Sequence, residues 1–596
     1  MRNFAPLPCN TKAFDASVTQ SLLPVFVLCD SKCRQKAAAR WLLEHTEIAR
    51  KQMSIRRHDC PSSLTRRRLL ATLSAGALCA CAGGFARPAL AQDTPAPGAA
   101  APLAAAQQAF SFETLTEEMR NRAAAGPDAP LVLPESFLSK LTYDTYRLIR
   151  FDPKRARFAE VENSHFQLHA FHMGWLFKEP VSLFELRDGQ AMPMGFGTDD
   201  FLYERESRAL VPEHVALPGV AGFRLHTPLN RPDVFDELVA FQGASYFRAL
   251  GRNSAYGLSA RGLALNTGLA VAEEFPRFTR FYIERPAPGA ETITVCAALE
   301  SDSLTGAYRF TIRPGFETVM EVTARLFFRR DVEQLGIAPL TSMFLFSERN
   351  RHAFDDYRPK VHDSDGLGIT RADGDILWRA LANPPRLASS YFAEAAPRSF
   401  GLYQRDRDFD HYQDDAAHYE KRPSCVVEPM GDWGKGAIRL VEIPSDLEVN
   451  DNIVAFWVPE APAKAGESRE FSYRLRWGDI AFPEADSRAH VKETRIGEGG
   501  VSGVENTAGT RKFVVDFVGG LMDSLGHDAA EELSIVATAS GGEIVTKVLS
   551  RNTSDGIWRL VLDVRPTEGD TVELSAHIAG YGRKLTETWL YQWIHA

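Results

Sequence analysis

Hydrophobic and polar residues alternate along several short segments of the chain. In 318–330 (TVMEVTARLFFRR), 471–477 (FSYRLRW) and 557–566 (IWRLVLDVRP), hydrophobic side chains recur at every second position. A period of two is that of a β-strand with one buried face, as in antiparallel sheets. Long amphipathic helical patterns are scarce, and the clearest is FETLTEEMRNRAAA, near residue 112. The pattern therefore predicts an all-β fold.

Two β-sandwich domains are predicted, a large one over 110–480 and a small one over 485–596. A chain of 596 residues is too long for one ordinary core. Between about 480 and 510 the sequence becomes polar and Gly-rich, as domain boundaries do. The segment that follows holds short strands at regular spacing, which suits an immunoglobulin-like sandwich. The Ala/Pro-rich segment 92–109 is predicted to be a disordered linker.

An export signal is predicted in TRRRLLATLSAGALCACAGGFARPALAQ, which begins at Thr65. Paired arginines, a short hydrophobic run and a small-residue cleavage site favour a twin-arginine signal over 53–91. An ordinary Sec signal or a membrane anchor are the alternatives. Because a signal should begin near the N-terminus, we expect Met53 to be the start and 1–52 to be a non-native upstream extension. The mature chain would then be periplasmic.

The net charge limits the kinds of ligand that we expect, and the cysteine content limits the expected disulfides. The net charge of -9 argues against nucleic acid, whose phosphates require a basic surface, and is compatible with a neutral ligand such as a sugar. Six of the eight cysteines precede residue 92, and Cys296 and Cys425 alone do not make a disulfide framework. Because TITVCAAL reads as a buried strand, we expect an unpaired cysteine in the core.

The stretch VHDSDGLG (361–368) could be a metal loop or a turn. An EF-hand counted from Asp363 needs an oxygen ligand where Leu367 stands and a glutamate where Gly374 stands. His362 alone is a poor case for zinc, which takes three or four ligands. We therefore expect no metal and no cofactor, and the stretch by itself is typical of a turn.

Two further segments are rich in charge. SDLEVNDNIVAFW places Glu448 and Asp451 just before a hydrophobic strand. FGLYQRDRDFDHYQDDAAHYEKRP (400–423) is dense in arginine, aspartate and tyrosine. Such a segment can line a sugar groove, with rings against pyranose faces and charged groups on hydroxyls, or it can be a solvated loop held by Arg–Asp pairs. Composition leaves both readings open.

Nine motifs in one order resemble a known family, the periplasmic glucan biosynthesis proteins G and D (OpgG/OpgD, also MdoG/MdoD). The motifs are GFRLHTPLN, GASYFRALG, YGLSARGLAL, EEFPRF, TGAYRF, LGIAPLTSMFLF, YRPKVHDSDGL, RPSCVVEP and EIPSDLEVNDNIVAFW. The resemblance implies a large galactose-mutarotase-like β-sandwich followed by an immunoglobulin-like one. It also implies a role in making osmoregulated periplasmic glucans, whose backbone is β-1,2-linked glucose. The twin-arginine signal points to the D-type branch, whose members shape that backbone.

The resemblance further implies an inverting β-1,2-glucanase, in which Asp363 is the general base and Asp451 the general acid. Inverting enzymes hold two carboxyl groups about 6.5–9.5 Å apart, with room for the attacking water. Glu448 is a candidate to raise the pKa of the acid by like-charge repulsion. Glu448 and Tyr419 match residues of the substrate cleft.

Further substrate-binding candidates and the expected partners complete the prediction. We add Arg405, Arg407 and Trp433 as substrate-binding candidates. Glu300 and Val426 depart from the family's usual Asp and Trp, and neither change touches the carboxylate pair. The expected partners are β-1,2-glucan, the inner-membrane glucan synthase and a second copy of the chain. The alternative function is a glucan-binding scaffold that guides backbone synthesis without cleavage.

Overall fold

The structure is a computed structural model that describes residues 108–127, 133, 135–480, 487–501, 503–506 and 508–595. The predicted upstream extension, the export signal and all but the last two residues of the predicted linker lie outside the described residues. None of the helices in the described part of the chain has the length and apolar character that crossing a membrane requires.

Strands make up most of the described elements, as the alternating pattern predicts. In chain order the first half are β1 (Gln108–Ala109), β2 (Ile149–Phe151), β3 (Gln167–Phe171), β4 (Ser182–Arg187), β5 (Gln190–Pro193), β6 (Phe201–Tyr203), β7 (Gly222–Thr227), β8 (Asp236–Gln242), β9 (Tyr246–Ala249), β10 (Ser259–Arg261), β11 (Leu263–Leu265), β12 (Arg277–Glu284), β13 (Ile293–Glu300), β14 (Leu304–Arg313), β15 (Thr318–Phe328), β16 (Leu335–Ser342) and β17 (Phe344–Phe346). The others are β18 (Val361–His362), β19 (Gly366–Thr370), β20 (Ile376–Ala380), β21 (Ala388–Ala395), β22 (Ser399–Tyr403), β23 (Ser424–Met430), β24 (Lys435–Glu442), β25 (Ile453–Pro459), β26 (Ser468–Gly478), β27 (His490–Glu498), β28 (Arg511–Val518), β29 (Ser534–Ser540), β30 (Gly542–Arg551), β31 (Trp558–Pro566), β32 (Thr571–Gly580), β33 (Arg583–Lys584) and β34 (Thr588–Ile594).

The described helices are short apart from the first. They are α1 (Phe112–Ala125), α2 (Tyr143–Tyr146), α3 (Glu206–Leu210) and the 3₁₀ helices Phe137–Lys140, Pro153–Arg155, Thr198–Asp200, Arg351–Ala353, Phe409–His411, Tyr419–Lys421, Gly520–Ser524 and His527–Glu532. Helix α1 begins at a capping box, in which the Thr114 N–H donates to Ser111 Oγ over 3.0 Å and the Ser111 N–H donates to Thr114 Oγ1 over 2.9 Å. The helix that the sequence predicts near residue 112 is confirmed.

Two large sheets form the main sandwich. The larger runs in the order β1-β5-β4-β12-β13-β14-β15-β26-β23-β22-β19-β20-β34-β32-β29, with β33 beside β32, and the other runs β21-β24-β25-β16-β10-β9-β8-β7-β3, with β11 beside β16. Side chains of both sheets meet in one core, where the rings of Phe241 (β8) and Phe310 (β14) lie 5.3 Å apart. The predicted all-β sandwich architecture is confirmed.

The register of the central strands explains the alternating sequence. Strands β15 and β26 pair antiparallel with Met320 opposite Leu475 and Val322 opposite Tyr473, so their buried faces coincide. The cysteines lie on separate, non-adjacent strands of the same sheet, and both Cys296 (β13) and Cys425 (β23) are buried free thiols. This arrangement confirms the expected unpaired core cysteine.

The C-terminal strands continue the large sheet. Strand β34 pairs in parallel with β20, placing Trp589 beside Trp378. A second, four-stranded sheet in the order β27-β28-β31-β30 packs on this extension, and Trp378 and Ala380 belong to the shared core. The sequence boundary near 480–510 is thus crossed by one continuous sheet. The immunoglobulin-like and galactose-mutarotase-like assignments stay predictions.

Candidate active site

The two candidate carboxylates are brought to neighbouring backbone positions by hydrogen bonds. Asp363 follows β18, and its N–H donates to the Met343 carbonyl over 2.8 Å. Asn452, next to Asp451, binds the adjacent Phe344 twice: its Nδ2 donates to the Phe344 carbonyl over 2.9 Å, and its Oδ1 accepts from the Phe344 N–H over 2.8 Å. Two loops far apart in sequence therefore converge on one strand end.

Asp363 is buried and directly paired with a cation. It is 4% exposed, and its Oδ1 accepts a hydrogen bond from Arg422 Nη1. Burial raises the pKa of Asp363; the charge of Arg422 lowers it, and the charge of Asp451 raises it further. The contribution from Asp451 means that the two carboxylates sense one another's charge. Arg422 favours the ionised form of Asp363, which is the form that a general base requires.

Asp451 has a looser cation neighbour. Its side chain is 15% exposed, and its Oδ2 lies 4.0 Å from Arg248 Nη2. Burial raises the pKa of Asp451, while the charges of Arg248, Arg261 and Arg422 lower it. Burial thus provides the shift that the sequence attributes to Glu448. Glu448 does not raise this pKa, because its carboxylate is 2.7 Å from Arg358 Nη2, which offsets its charge.

Three arginines around the pair escape sequence reasoning. They are Arg248 on β9, Arg261 on β10 and Arg422 after the Tyr419–Lys421 turn. Arg261 is 1% exposed, donates to Thr341 Oγ1 over 3.0 Å and pairs with Glu273 at 2.8 Å. The sequence could have indicated two of them. Arg248 in GASYFRALG and Arg261 in YGLSARGLAL each stand in a largely apolar strand segment, which is typical of a buried cation.

Tyr419 and Glu448 lie near the pair but differ in exposure. Tyr419 is 2% exposed, with the Arg422 guanidinium 4.3 Å from its ring centre. Burial raises the pKa of Tyr419, the charge of Arg422 lowers it, and the charges of Asp363 and Glu448 raise it. The side chain of Glu448 is 42% exposed, at the rim. The structure therefore brings Asp363, Asp451, Tyr419 and Glu448 into one region.

Arg405 and Arg407 are occupied by protein partners. Arg405 binds the fully buried Glu587 at 2.6 and 3.0 Å, and its guanidinium lies 3.4 Å from the centre of the Trp378 ring. Arg407 Nη1 donates to the carbonyls of Glu420 and Arg422. Arg405 therefore ties the C-terminal strands to the large sandwich, and Arg407 holds the turn that carries Tyr419. The structure brings neither guanidinium to the carboxylate pair.

Trp433 belongs to the sandwich core. It is 7% exposed, its Nε1 donates to the Ser472 carbonyl over 3.1 Å, and its ring packs 6.1 Å from Trp457 and 5.8 Å from Phe471. A buried indole whose N–H is satisfied by backbone is a packing element. The structure thus places Trp433 apart from the two loops that carry Asp363 and Asp451.

The remaining residues of VHDSDGLG hold the loop that presents Asp363. His362 is 1% exposed, hydrogen-bonds Gln404 Oε1 at 3.0 Å, and has a pKa that burial lowers to about 3, so the ring is neutral. Asp365 Oδ2 accepts from the Arg405 N–H over 3.0 Å. A Cβ on Gly366 would meet the Trp378 ring at 2.1 Å, so only glycine fits. Within the described residues, no cluster of three or more His, Cys, Asp or Glu side chains could hold a metal ion.

The chain is similar in sequence to proteins of glucan biosynthesis. Residues 110–593 match the family described as "Periplasmic glucan biosynthesis protein, MdoG". Glucans biosynthesis protein G of Cereibacter sphaeroides is 60% identical over 542 residues, which cover 90% of this chain and 99% of that protein. Glucans biosynthesis protein G of Rhodopseudomonas palustris is 42% identical over 485 residues, covering 81% and 93%. Probable glucans biosynthesis protein D of Shewanella oneidensis is 43% identical over 466 residues, covering 77% and 84%.

Proposed function

The chain belongs to the family of periplasmic glucan biosynthesis proteins, and we propose that within this role it is an inverting endo-β-1,2-glucanase that trims the glucan backbone. The family membership confirms the resemblance found in the sequence. Relatives named G and D both match, so the D-type assignment stays a prediction. The β-1,2 linkage, twin-arginine export, a synthase partner and a homodimer are likewise part of the proposal.

One observation supports catalysis above the others: two carboxylates from separate loops, Asp363 buried and Asp451 partly buried, have unequal cation contacts. Arg422 binds Asp363 directly, whereas the nearest guanidinium nitrogen of Arg248 is 4.0 Å from Asp451. Direct pairing favours an ionised base, and burial with a looser cation favours a protonated acid. This asymmetry matches the division of labour that inversion requires.

In the proposed reaction Asp451 donates its proton to the glycosidic oxygen as the bond to the anomeric carbon breaks. Asp363 accepts a proton from a water that attacks the anomeric carbon from the opposite face. One water is consumed, one new reducing end forms, and both carboxyl groups return to their starting states by proton exchange with solvent. Glu448 and Tyr419 are proposed to contact the sugars beside this bond.

The test is hydrolysis of linear β-1,2-glucan by the mature protein. Reducing ends should accumulate with the wild type and fall to background with Asp451→Asn and Asp363→Asn. Proton NMR of the first product should show the anomeric configuration opposite to that of the substrate. Wild-type activity no higher than that of Asp451→Asn, with both proteins folded, would contradict the glucanase proposal.

The second candidate is a non-catalytic glucan scaffold, and the burial of Asp363 favours it. A carboxylate that is 4% exposed and already paired with Arg422 is also what a structural ion pair looks like. A scaffold would bind β-1,2-glucan saturably, retain that binding after Asp451→Asn, and leave the polymer length unchanged. Size-exclusion chromatography of the glucan after incubation separates the two functions.

A further inference from the structure

We infer that the groove between the C-terminal strands and the loop leading to Asp451 is a second glucan-binding site. The groove has a volume of about 640 Å³, within the roughly 300–1,000 Å³ of typical ligand pockets. Its identity as a site for glucan, as opposed to another ligand, rests on the proposed function. That the groove binds a ligand at all rests on the side chains that line it and on their burial and contacts.

Both parts of the fold contribute walls. The C-terminal strands supply residues 591–594 of β34 in the large sheet and Arg511 of β28 in the four-stranded sheet, and the loops of the main sandwich supply 382–385 and 444–446. Trp593 is partly exposed there, with its ring 5.7 Å from Phe513 behind it. Aromatic side chains backed by a core, beside amide and guanidinium groups, make the mixed surface that pyranose rings and hydroxyls recognise.

An unsatisfied cation lines the groove. Arg349 is only 8% exposed, and its Nε and Nη2 are buried without a hydrogen-bond partner. In the described residues no carboxylate forms an ion pair with it, and its guanidinium instead lies 4.7 Å from the centre of the Phe344 ring. A buried guanidinium without acceptors is costly. Because Arg349 lines the groove, ligand oxygens that enter it would meet a guanidinium that has no carboxylate partner within ion-pair distance among the described residues.

A second guanidinium converges on the same wall. The charges of Arg349 and Arg511 both act on the Tyr591 hydroxyl, lowering a pKa that burial raises. Tyr591 lines the groove together with both arginines. The three side chains therefore offer several hydrogen-bond donors to one ligand, as sugar hydroxyls require.

One loop runs from the groove to the candidate active site. Ser445 and Asp446 line the groove, and the same loop continues to Glu448 and Asp451. Asn383 fixes this loop: its Nδ2 donates to the Ser445 carbonyl over 2.6 Å, and its Oδ1 accepts from the Ser445 N–H over 2.9 Å. A glucan long enough to follow the loop would occupy both sites, so the groove would favour long chains over short ones.

The test measures glucan binding in an Asp451→Asn background, where cleavage cannot deplete the ligand. Calorimetric titration compares Trp593→Ala and Arg349→Met with Phe316→Ala, which removes a 57% exposed ring that does not line the groove. We expect each groove variant to weaken binding of long linear β-1,2-glucan about tenfold, or by about 1.4 kcal/mol. Binding of a short oligosaccharide, and binding by Phe316→Ala, should stay unchanged.

Thermal unfolding separates a ligand-binding role from a structural one. If Arg349 serves a ligand, Arg349→Met should leave the melting temperature of the free protein close to unchanged, because the described residues give its guanidinium no hydrogen bond to lose. A lower melting temperature with unchanged glucan affinity would assign Arg349 to packing and overturn the inference. Stabilisation by inorganic phosphate that is lost in Arg349→Met, without any effect on glucan, would overturn it in favour of an anion site.

Failure of this inference can be told apart from failure of the proposed function. If the groove variants bind long glucan as tightly as the background protein while the wild type hydrolyses it, the groove is not a glucan-binding site and the glucanase proposal is retained. If the wild type releases no reducing ends while Trp593→Ala still weakens glucan binding, the groove is a glucan-binding site and the glucanase proposal is rejected.

Discussion

Replacing Arg422 by Met is the sharpest test of the charge arrangement. The side chains of Arg422 and Asp363 are 8% and 5% exposed, so the substitution leaves a buried carboxylate without its cation. The pKa of Asp363, already raised by burial, should rise further. Since a general base must be ionised, the acidic limb of the activity profile should move to higher pH, and stability should fall.

The size of the stability loss follows from burial. An exposed pair would contribute roughly 0–1 kcal/mol, whereas removing one partner of a buried pair typically costs about 3–5 kcal/mol. Arg422 also donates from Nε and Nη2 to the Ala417 carbonyl, each over 3.2 Å, which adds to the loss. A native stability of roughly 5–15 kcal/mol makes such a change readily measured by urea unfolding.

The double variant isolates the pair from the other contacts of Arg422. Adding Asp363→Leu to Arg422→Met removes the stranded carboxylate, so a large part of the lost stability should return. Arg422→Lys is the matched control, because it keeps the charge and loses the fork. A loss below about 1 kcal/mol in Arg422→Met, no recovery in the double variant, or an unmoved acidic limb would refute the reasoning.

Three further outcomes follow from other charged residues. Asp451→Asn should raise the melting temperature at pH 7 and not near pH 3, because burial raises the pKa of Asp451 and its ionised form disfavours the fold above that pKa. Burial, together with Glu348, raises the pKa of Glu493 to about 7. The protonated form of Glu493 therefore adds stability that is fully present below about pH 4.3 and is lost as the pH rises through 7. Glu493→Gln should accordingly make the melting temperature vary less between pH 5 and 8. Arg405→Met should destabilise the fold by about 3–5 kcal/mol through the stranded Glu587 while the folded enzyme keeps its KM for glucan, and a raised KM would instead support sugar binding by Arg405.

Local pattern carried the sequence predictions that succeeded. The period of two in 318–330 and 471–477 places residues on strands β15 and β26, and the helical pattern near residue 112 coincides with α1. These features depend on neighbours a few residues away, which periodicity records directly. The parallel pairing of β34 with β20 depends on residues that are distant in sequence, so no local pattern announces it.

Charged residues were harder to place than hydrophobic ones. The segment 400–423 allowed either a sugar groove or a loop held by ion pairs, and the structure gives the arginines separate roles. Arg405 is held by the buried Glu587, and Arg422 pairs with Asp363. An arginine in a polar segment looks the same in sequence whether its partner is water, a distant carboxylate or a ligand, because the partner is chosen by the fold.

The convergence of the site on one strand end explains how a β-sandwich could hold two carboxylates in a fixed relation. The N–H of Asp363 donates to the Met343 carbonyl. The loop of Asp451 is held by Asn452, which is 2% exposed and whose side-chain amide bonds both the N–H and the carbonyl of Phe344. The same Phe344 ring packs against Arg349 at the groove. Because loops alone would let the carboxylates move apart, a shared backbone anchor is what keeps their spacing. A ligand that binds Arg349 would therefore lie against the ring of the residue whose backbone anchors the loop of Asp451.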